Sequence, residues 1–404
     1  MQETGPALET TASPTPTWRL LGHADFGPYF AGNLLSNCGT WFQNIAQAIL
    51  VFRLTHSTFL VGVVNFAQFA GVFLLASWAG RAADRFDRRR LLVVTQLCAL
   101  AVALTMAALV RAGLATAPVV IVLAFALGLT IAFAIPALQA LVPLLVEPHD
   151  LPGAIALNSI TFNLARAVGP VLAAVVIRTL GLTWAFALNG ASFLALIAAL
   201  GFVHPRPQHR AASEHLRLRD SIAIVRADAR LFALFMAIAA VSLTVDPVTT
   251  LTPAFSTEVF HRADTLTGFL VGAFGVGAVA AVSLVRRIGA RETTMALTLL
   301  LLAAGMAAFG LAPTVAFALV ALALAGVGYL LTVIGATTAI QLGVDDRHRG
   351  RVMALWSIAF LGLRPFGSLV AGAVGHAAGV RAGALLMAVP AAGVAVAFAV
   401  RRRG

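Results

Sequence analysis

Lysine is absent from this 404-residue chain, and all 28 of its basic residues are arginine. A phosphate-binding loop of the form G-x-x-x-x-G-K-S/T needs its lysine, so the chain carries no such ATPase module. Schiff-base chemistry is excluded for the same reason. Charge of either sign is scarce. Only 11% of the residues are charged and 60% are hydrophobic, with a mean hydropathy of +0.93. A soluble domain has roughly 25% charged residues and cannot hide this much apolar surface within itself. Lipid is therefore the expected solvent for most of the chain. The two cysteines, Cys38 and Cys98, fall in different apolar segments, build no disulfide framework or zinc site, and read as small buried hydrophobes. H-E-x-x-H, C-x-x-C and G-x-S-x-G are all missing, and the nine histidines are scattered over the tail, loops and helix ends. No catalytic cluster, metal site or cofactor is expected, and the chain does not read as an enzyme.

What is present is a succession of apolar stretches long enough to cross about 30 Å of hydrocarbon. They fall near 27–52, 58–80, 91–111, 118–140, 153–177, 182–203, 231–256, 265–285, 292–311, 313–338, 352–377 and 380–400. The expected fold class is an all-α membrane protein of twelve transmembrane helices. Residues 1–17 are polar, rich in Thr and Pro and free of arginine, unlike a signal peptide, and are expected to form a disordered cytoplasmic tail. With that end inside, 21 arginines fall in inner segments and five in outer ones (Arg53, Arg111, Arg178, Arg262 and Arg381). This asymmetry places both termini in the cytoplasm. It also accounts for the net charge of +12 without nucleic acid as a partner. The arginine-only, Ala-, Gly- and Leu-rich composition suits a GC-rich bacterial genome, hence a bacterial inner membrane.

A direct repeat divides the chain. Ala156–Ala174 aligns with Ala354–Gly372 at an offset of 198, with eight identities in 19 positions, including Arg166 with Arg364 and Gly169 with Gly367. An offset of six spans keeps both copies in one orientation. The expected organisation is two pseudo-symmetric six-helix bundles, 18–203 and 231–404, joined by a cytoplasmic linker, 204–230. Parallel halves with a site between them near mid-depth form a transporter architecture.

Polar side chains inside spans are the candidate functional residues. Arg166 and Arg364 each lie about a dozen residues into a span, where an arginine costs roughly 2.5–3.5 kcal/mol. Both therefore need partners or water. Ser159, Asn163 and Arg166 share a helical face by their spacing, and Ser357 with Arg364 repeats it. Two readings stand for these arginines: contact with an acidic or polar substrate, or a structural tie between helices. The neighbouring Gly169 and Pro170 favour the second for Arg166. Asp246, beside Pro247, is the acid placed well inside a span. It either carries a proton, pairs with an intramembrane arginine, or lies near the wet outer surface. The first span bears a polar stripe, Asn33, Asn37, Thr40, Asn44 and Gln47, that would be costly against lipid and should face an interior cavity. Asn65 and Gln68 extend it. Trp41, Phe66, Phe69, Tyr329 and Trp356 either wall that cavity or serve as packing residues.

Between the second and third spans the chain reads GRAADRFDRRR, Gly80 to Arg90. This resembles the signature loop of the major facilitator superfamily, G-x-x-x-D-R-x-G-R-R. Gly80, Asp84, Arg85, Arg88 and Arg89 match, and Asp87 replaces a usual glycine. SNCGTWFQNIAQAILVF, IPALQALVPLLVEPHDLPGAIALN and ARAVGP resemble the bacterial efflux branch near the enterobactin exporters. The resemblance implies the major facilitator fold and a secondary transporter. It also implies that the loop is a latch, closing the cytoplasmic side until the carrier rocks. Gly80 would then admit a close helix approach, and Asp84 would pair with arginine or face a helix N-terminus. Ala165, Gly169, Pro170, Ala173 and Ala174 resemble the antiporter signature G-x-x-x-G-P-x-x-G-G of the fifth span, with three alanines for glycines. Gly268 and Gly272, with Gly275, offer a complementary small face for helix packing. The R-x-x-Q-G of the fourth span in many efflux relatives is missing here, which leaves the coupling mechanism open.

The functional expectation is a proton-coupled exporter of a drug-like or siderophore-like small molecule, acting as a monomer. A metabolite importer on the same scaffold and a non-transporting sensor are the alternatives.

Overall fold

The computed structural model of the protein describes residues 16–206, 218–285 and 292–401, and among these every regular element is helical. The first group is α1 (Phe26–Thr55), α2 (Thr58–Arg85), α3 (Arg88–Arg111), α4 (Ala117–Leu141), α5 (Leu151–Thr179) and α6 (Leu182–Phe202). A short helix, α7 (Leu218–Ala227), follows. The second group is α8 (Ala229–Val245), α9 (Pro247–Ala254), α10 (Leu266–Val285), α11 (Glu292–Gly310), α12 (Val315–Gly343), α13 (Asp346–Gly362), α14 (Arg364–Ala378) and α15 (Val380–Arg401).

Among the described residues nine helices are long and apolar enough to cross a membrane, and Thr58–Val72 and Thr294–Gly310 are shorter apolar helices. The polar stripe sets α1 apart from the nine, although it is 30 residues long. Helix starts follow local chemistry. Ser57 accepts from the Leu60 N–H, Asp87 from the Arg90 N–H and Asp228 from those of Arg230 and Leu231, each satisfying donors the first turn leaves free.

Four details depart from the sequence reading. The expected seventh span, found at Ala229–Val259, is interrupted in its hydrogen bonding at Asp246, where α8 passes into α9 and then a π-helical turn, Phe255–Val259, although the backbone stays helical. The expected eleventh is interrupted in the same way at Leu363, between α13 and α14, within the single span Leu355–Ala378. Pro247 and Pro365 lack an N–H and clash with the preceding turn, so each sits in the first turn of a new helix. The expected linker contains α7, and α8 begins inside it; residues 207–217 lie outside the described set. Most of the expected tail lies there too, while Thr17–Gly22 forms a 3-10 helix.

Within each group the helices pack on one another; the two groups meet chiefly through α2 with α14 and α5 with α10. Both contacts lie toward the face opposite the chain ends. There the Thr58 hydroxyl donates to the Gly372 carbonyl at 2.8 Å. Arg53 forms an ion pair with Asp264, its Nη2 donating to Oδ1 at 2.9 Å. A Cβ at Gly268 would strike the Pro170 carbonyl oxygen, and one at Gly272 the Val171 side chain, so both glycines let α10 close on α5. The face bearing the chain ends, the terminal face, has its own ties. The Asp25 carboxylate accepts from the His204 N–H at 2.8 Å, and Arg401 donates to the Ala229 carbonyl at 2.7 Å.

Gly372→Val tests the seal. A Cβ at Gly372 lies 2.5 Å from the Thr58 carbonyl oxygen, so overpacking should cost about 1–3 kcal/mol. The thermal unfolding midpoint in detergent should fall, and a cysteine placed in the seal should become reactive to thiol reagents from that face.

Candidate functional site

A cavity of about 360 Å³ lies between the two helix groups, on the terminal-face side of the seal. Its lining runs from Asp246 and Arg364, where two helices break, to Leu138 and Gln139 at the terminal-face end of α4. The first group supplies a wall of amides: Asn33, Asn37 and Asn44 from α1, Asn65 and Gln68 from α2, Gln96 from α3 and Asn158 from α5. Thr40, Trp41 and Phe69 stand among them, and Ile131, Ile135, Leu138, Phe162 and Leu196 make much of the same wall apolar.

The amides are held in fixed poses by one another. Asn33 donates to Asn158 Oδ1 at 2.9 Å, and the Tyr29 hydroxyl donates to the same atom at 3.2 Å. Asn37 donates to Asn33 Oδ1 at 3.0 Å, Gln68 to Asn44 Oδ1 at 3.0 Å, and Ser36 to Gln96 Oε1 at 3.3 Å. Thr40 turns its hydroxyl back to the Ser36 carbonyl at 2.9 Å. Asn65 reaches across to the second group and donates to the Thr250 hydroxyl at 2.9 Å.

At the sealed end two guanidinium groups face one carboxylate. Arg166 and Arg364 are 5% and 2% exposed, values that leave neither head group in bulk solvent. Arg364 Nε lies 3.7 Å from Asp246 Oδ1, an ion pair too long for a hydrogen bond. Arg364 Nη2 donates to the Tyr329 hydroxyl at 3.4 Å, and its Cζ sits 4.4 Å from the Phe360 ring centre. Arg166 is enclosed by rings, with Cζ 5.3 Å from Trp41, 4.8 Å from Phe274 and 4.5 Å from Tyr329. The ring faces attract both cations. Trp41 lies on α1, Phe274 on α10 and Tyr329 on α12, so Arg166 ties the two groups together. Arg166 Nη1 and Arg364 Nε are buried and have no hydrogen-bond acceptor among the described residues.

Helix breaks put these groups at mid-depth. Asp246 ends α8 immediately before Pro247, and Arg364 opens α14 immediately before Pro365. The two breaks pack on each other: a Cβ at Gly367 would lie 2.6 Å from the Leu243 carbonyl oxygen. The Ser242 hydroxyl donates to the Phe360 carbonyl at 2.8 Å, satisfying an acceptor near the interruption.

The structure brings Asn33, Asn37, Thr40, Trp41, Asn44, Asn65, Gln68, Arg166, Asp246 and Arg364 to one cavity. Asn163 stands apart from that lining and donates to the Ser159 carbonyl one turn earlier, at 2.9 Å. Arg166 lies between two stripes on α5, and helical periodicity admits either; the cavity takes Asn158 and Phe162 rather than Ser159 and Asn163. Gln47 is buried within the first group, outside the cavity lining. Phe66 packs edge-on against Phe366 and Trp356 stacks on Phe360. Gly169 is a packing residue, since a Cβ there would lie 2.8 Å from the Trp41 Cβ. Cys98 is exposed on α3, contrary to its expected burial, because that face turns away from the other helices.

At the signature loop the close helix approach expected at Gly80 is absent: an added Cβ meets nothing within 4 Å. Arg85 is exposed, and the side chain of Asp84 lies outside the described set. Arg88 donates to the Ala140 carbonyl at 2.8 Å and Arg89 to the Gly201 carbonyl at 2.9 Å, both within the first group. Sequence reasoning missed Asn158, Gln96 and Phe274. Asn158 was reachable, since it lies one turn before Phe162 on the flank of Arg166 opposite Ser159 and Asn163; for Phe274, one of 26 phenylalanines, no sequence signal existed.

A cavity between two helix groups, closed toward one face and reaching toward the other, with amides and a buried charge cluster set in a largely apolar lining, defines a multi-pass membrane transporter. The chain belongs to the major facilitator superfamily, matching its transmembrane secretion effector family over residues 15–403. It is 25% identical over 258 residues to the staphyloferrin A transporter of Staphylococcus aureus, covering 63% of this chain and 64% of that one. It is 24% identical over 346 residues to the enterobactin exporter EntS of Citrobacter koseri, covering 83% and 81%. Thus the chain spans just under two thirds of the first relative's length. Among solved structures it resembles a bacterial homolog of the human lysosomal transporter Spinster, inward-facing and occupied, with TM-score 0.76, 13% identity and 96% and 98% coverage. The nucleoside transporter NupG matches with TM-score 0.74, 13% identity and 94% and 99% coverage. The fold is that of a major facilitator transporter, and the protein is not an enzyme.

A double-mutant cycle that neutralises the charges makes the central pair testable. Removing one partner of a buried ion pair costs about 3–5 kcal/mol, whereas replacing both by neutral groups of similar volume is nearly neutral. Arg364→Met should therefore lower the unfolding midpoint more than Arg364→Met combined with Asp246→Asn. Additive losses in the double variant would show that the two groups act independently.

Proposed function

We propose that this protein is a proton-coupled exporter of an anionic, siderophore-like small molecule, working by alternating access between two six-helix bundles, 18–203 and 231–404. The observation that carries this reading is the imbalance at the sealed end of the cavity, two guanidinium groups against one carboxylate. An oxygen-rich anion suits them, because Arg166 Nη1 and Arg364 Nε offer donors with no acceptor among the described residues. The amide wall adds neutral donors and acceptors for hydroxyl and carbonyl groups. Export, and a siderophore-like cargo, are supported by the relatives, an enterobactin exporter and a staphyloferrin A transporter.

The arginine bias of the sequence, 21 in inner segments against five in outer ones, supports turning the terminal face to the cytoplasm of a bacterial inner membrane. The structure then represents an inward-facing state of a monomer. In the opposite state the α2–α14 and α5–α10 contacts part, the Arg53–Asp264 pair breaks, and the loop from Gly80 through Asp84 and Arg85 to Arg88 and Arg89 closes. Gly169, Pro170, Gly268 and Gly272 form the surface on which α5 and α10 move. Asp246 is the proton-coupling residue. An anion that takes Arg364 from Asp246 alters how tightly that carboxylate holds a proton, so cargo and proton occupancy are linked.

Everted vesicles provide the test, with enterobactin as the probe. An acid interior should accelerate uptake, and an alkaline interior should not. Asp246→Asn should abolish gradient-driven uptake while leaving downhill exchange. Equal loss of both activities would make Asp246 structural, and acceleration by the opposite gradient would make the protein an importer.

A further inference from the structure

A second cavity, of about 730 Å³, opens on the terminal face beside α3, outside the transport path. Arg88, Arg89 and Arg90 line it from the start of α3, Leu141 and Leu144 from the end of α4, and Arg206 from the segment after α6. Asp87 is the carboxylate in that lining, and it already accepts from the Arg90 N–H at 2.7 Å. The main chain fixes the arginine frames. Arg88 and Arg89 hold the Ala140 and Gly201 carbonyls, while Arg206 donates to the Pro143 carbonyl at 3.1 Å and to Glu147 at 3.2 Å. Arg88 Nε is buried without a hydrogen-bond partner among the described residues. Four planar forks converging on one cavity suit a phosphate group, whose oxygens accept several N–H bonds at once.

The apolar surface below the arginines identifies the kind of phosphate. Val93 and Val94 line the same cavity. Val94, Leu97 and Leu104 are 56%, 48% and 48% exposed, and their spacing puts them on one face of α3 running away from the cavity. That strip begins where the charged loop ends, at the start of the membrane-spanning helix Arg88–Arg111. Inorganic phosphate would use the guanidinium groups and leave this strip bare. A phospholipid uses both.

We propose that this cavity binds an anionic glycerophospholipid, with its phosphodiester among Arg88, Arg89, Arg90 and Arg206 and an acyl chain along α3. Basic pockets between helices on the cytoplasmic side are sites of this chemistry. The bound lipid joins the start of α3, the end of α4 and the segment after α6, so it stiffens the first helix group without entering the transport cavity.

The test uses the purified full chain in neutral detergent, with phosphatidylglycerol, phosphatidylcholine and inorganic phosphate added separately. Native mass spectrometry and the thermal unfolding midpoint are the readouts. Phosphatidylglycerol should stay bound and raise the midpoint, and the other two should do neither. Arg90→Gln with Arg206→Gln should weaken phosphatidylglycerol binding about five-fold for each arginine removed. Arg90→Lys with Arg206→Lys should restore most of the loss, separating charge from folding, and Arg111→Gln on the opposite face should have no effect. Equal retention of phosphatidylcholine, undiminished binding by the glutamine variant, or lysine variants as weak as glutamine would overturn the proposal. So would equal stabilisation by inorganic phosphate, which would assign the cavity to a soluble anion.

Discussion

Two guanidinium groups buried at mid-depth are the constraint around which the rest of the structure is arranged. Each is costly in a hydrocarbon environment, and each is made tolerable differently. Arg364 has a carboxylate within ion-pair range and a tyrosine hydroxyl. Arg166 lies among the rings of Trp41, Phe274 and Tyr329, drawn from both helix groups. Tyr329 touches both arginines, so the two sites form one unit. The helix breaks before Pro247 and Pro365 belong to the same design, because they turn Asp246 and Arg364 toward a shared point. They also free backbone groups, which only a polar or well-packed interior can satisfy.

The seal on one face and the opening on the other come from opposite kinds of surface. Where the groups meet, glycine, alanine and a threonine–carbonyl bond let backbones approach, and the Arg53–Asp264 pair bridges two turns. Toward the terminal face the cavity walls mix amides with apolar side chains such as Ile131, Ile135 and Leu138. The arginines of the signature loop are engaged with carbonyls of their own group in this state. Arg88 and Arg89 are held at the ends of α4 and α6, within that group.

Much of the candidate site could be read from residue types because polar groups cannot be placed at random among apolar spans. The α1 stripe at Asn33, Asn37, Thr40 and Asn44 recurs every three or four residues, and a lipid-facing stripe of that kind would not survive. The paired arginines stood out in the same way, as charges where charge is costly. The misses came where helical periodicity is ambiguous or chemistry is unremarkable. Asn163 and Asn158 lie on either side of Arg166, and only the neighbouring helices choose between them. Phe274 is apolar in an apolar span. The breaks within α8–α9 and α13–α14 were announced by proline, yet hydropathy averages over them.

Composition and hydropathy by themselves determined that the chain is helical and lives in lipid, and the repeat and the GRAADRFDRRR loop pointed to its superfamily. Those conclusions depend on solvent preference and local spacing, which are properties of the chain alone. Tertiary structure decided that Asp246 faces Arg364, that the rings of Trp41, Phe274 and Tyr329 enclose Arg166, and that the cavity is sealed on one side only. Those facts depend on which helix lies beside which, at what depth and rotation. Contacts between residues more than a hundred positions apart leave no periodicity behind, so they become visible only once the helices are packed.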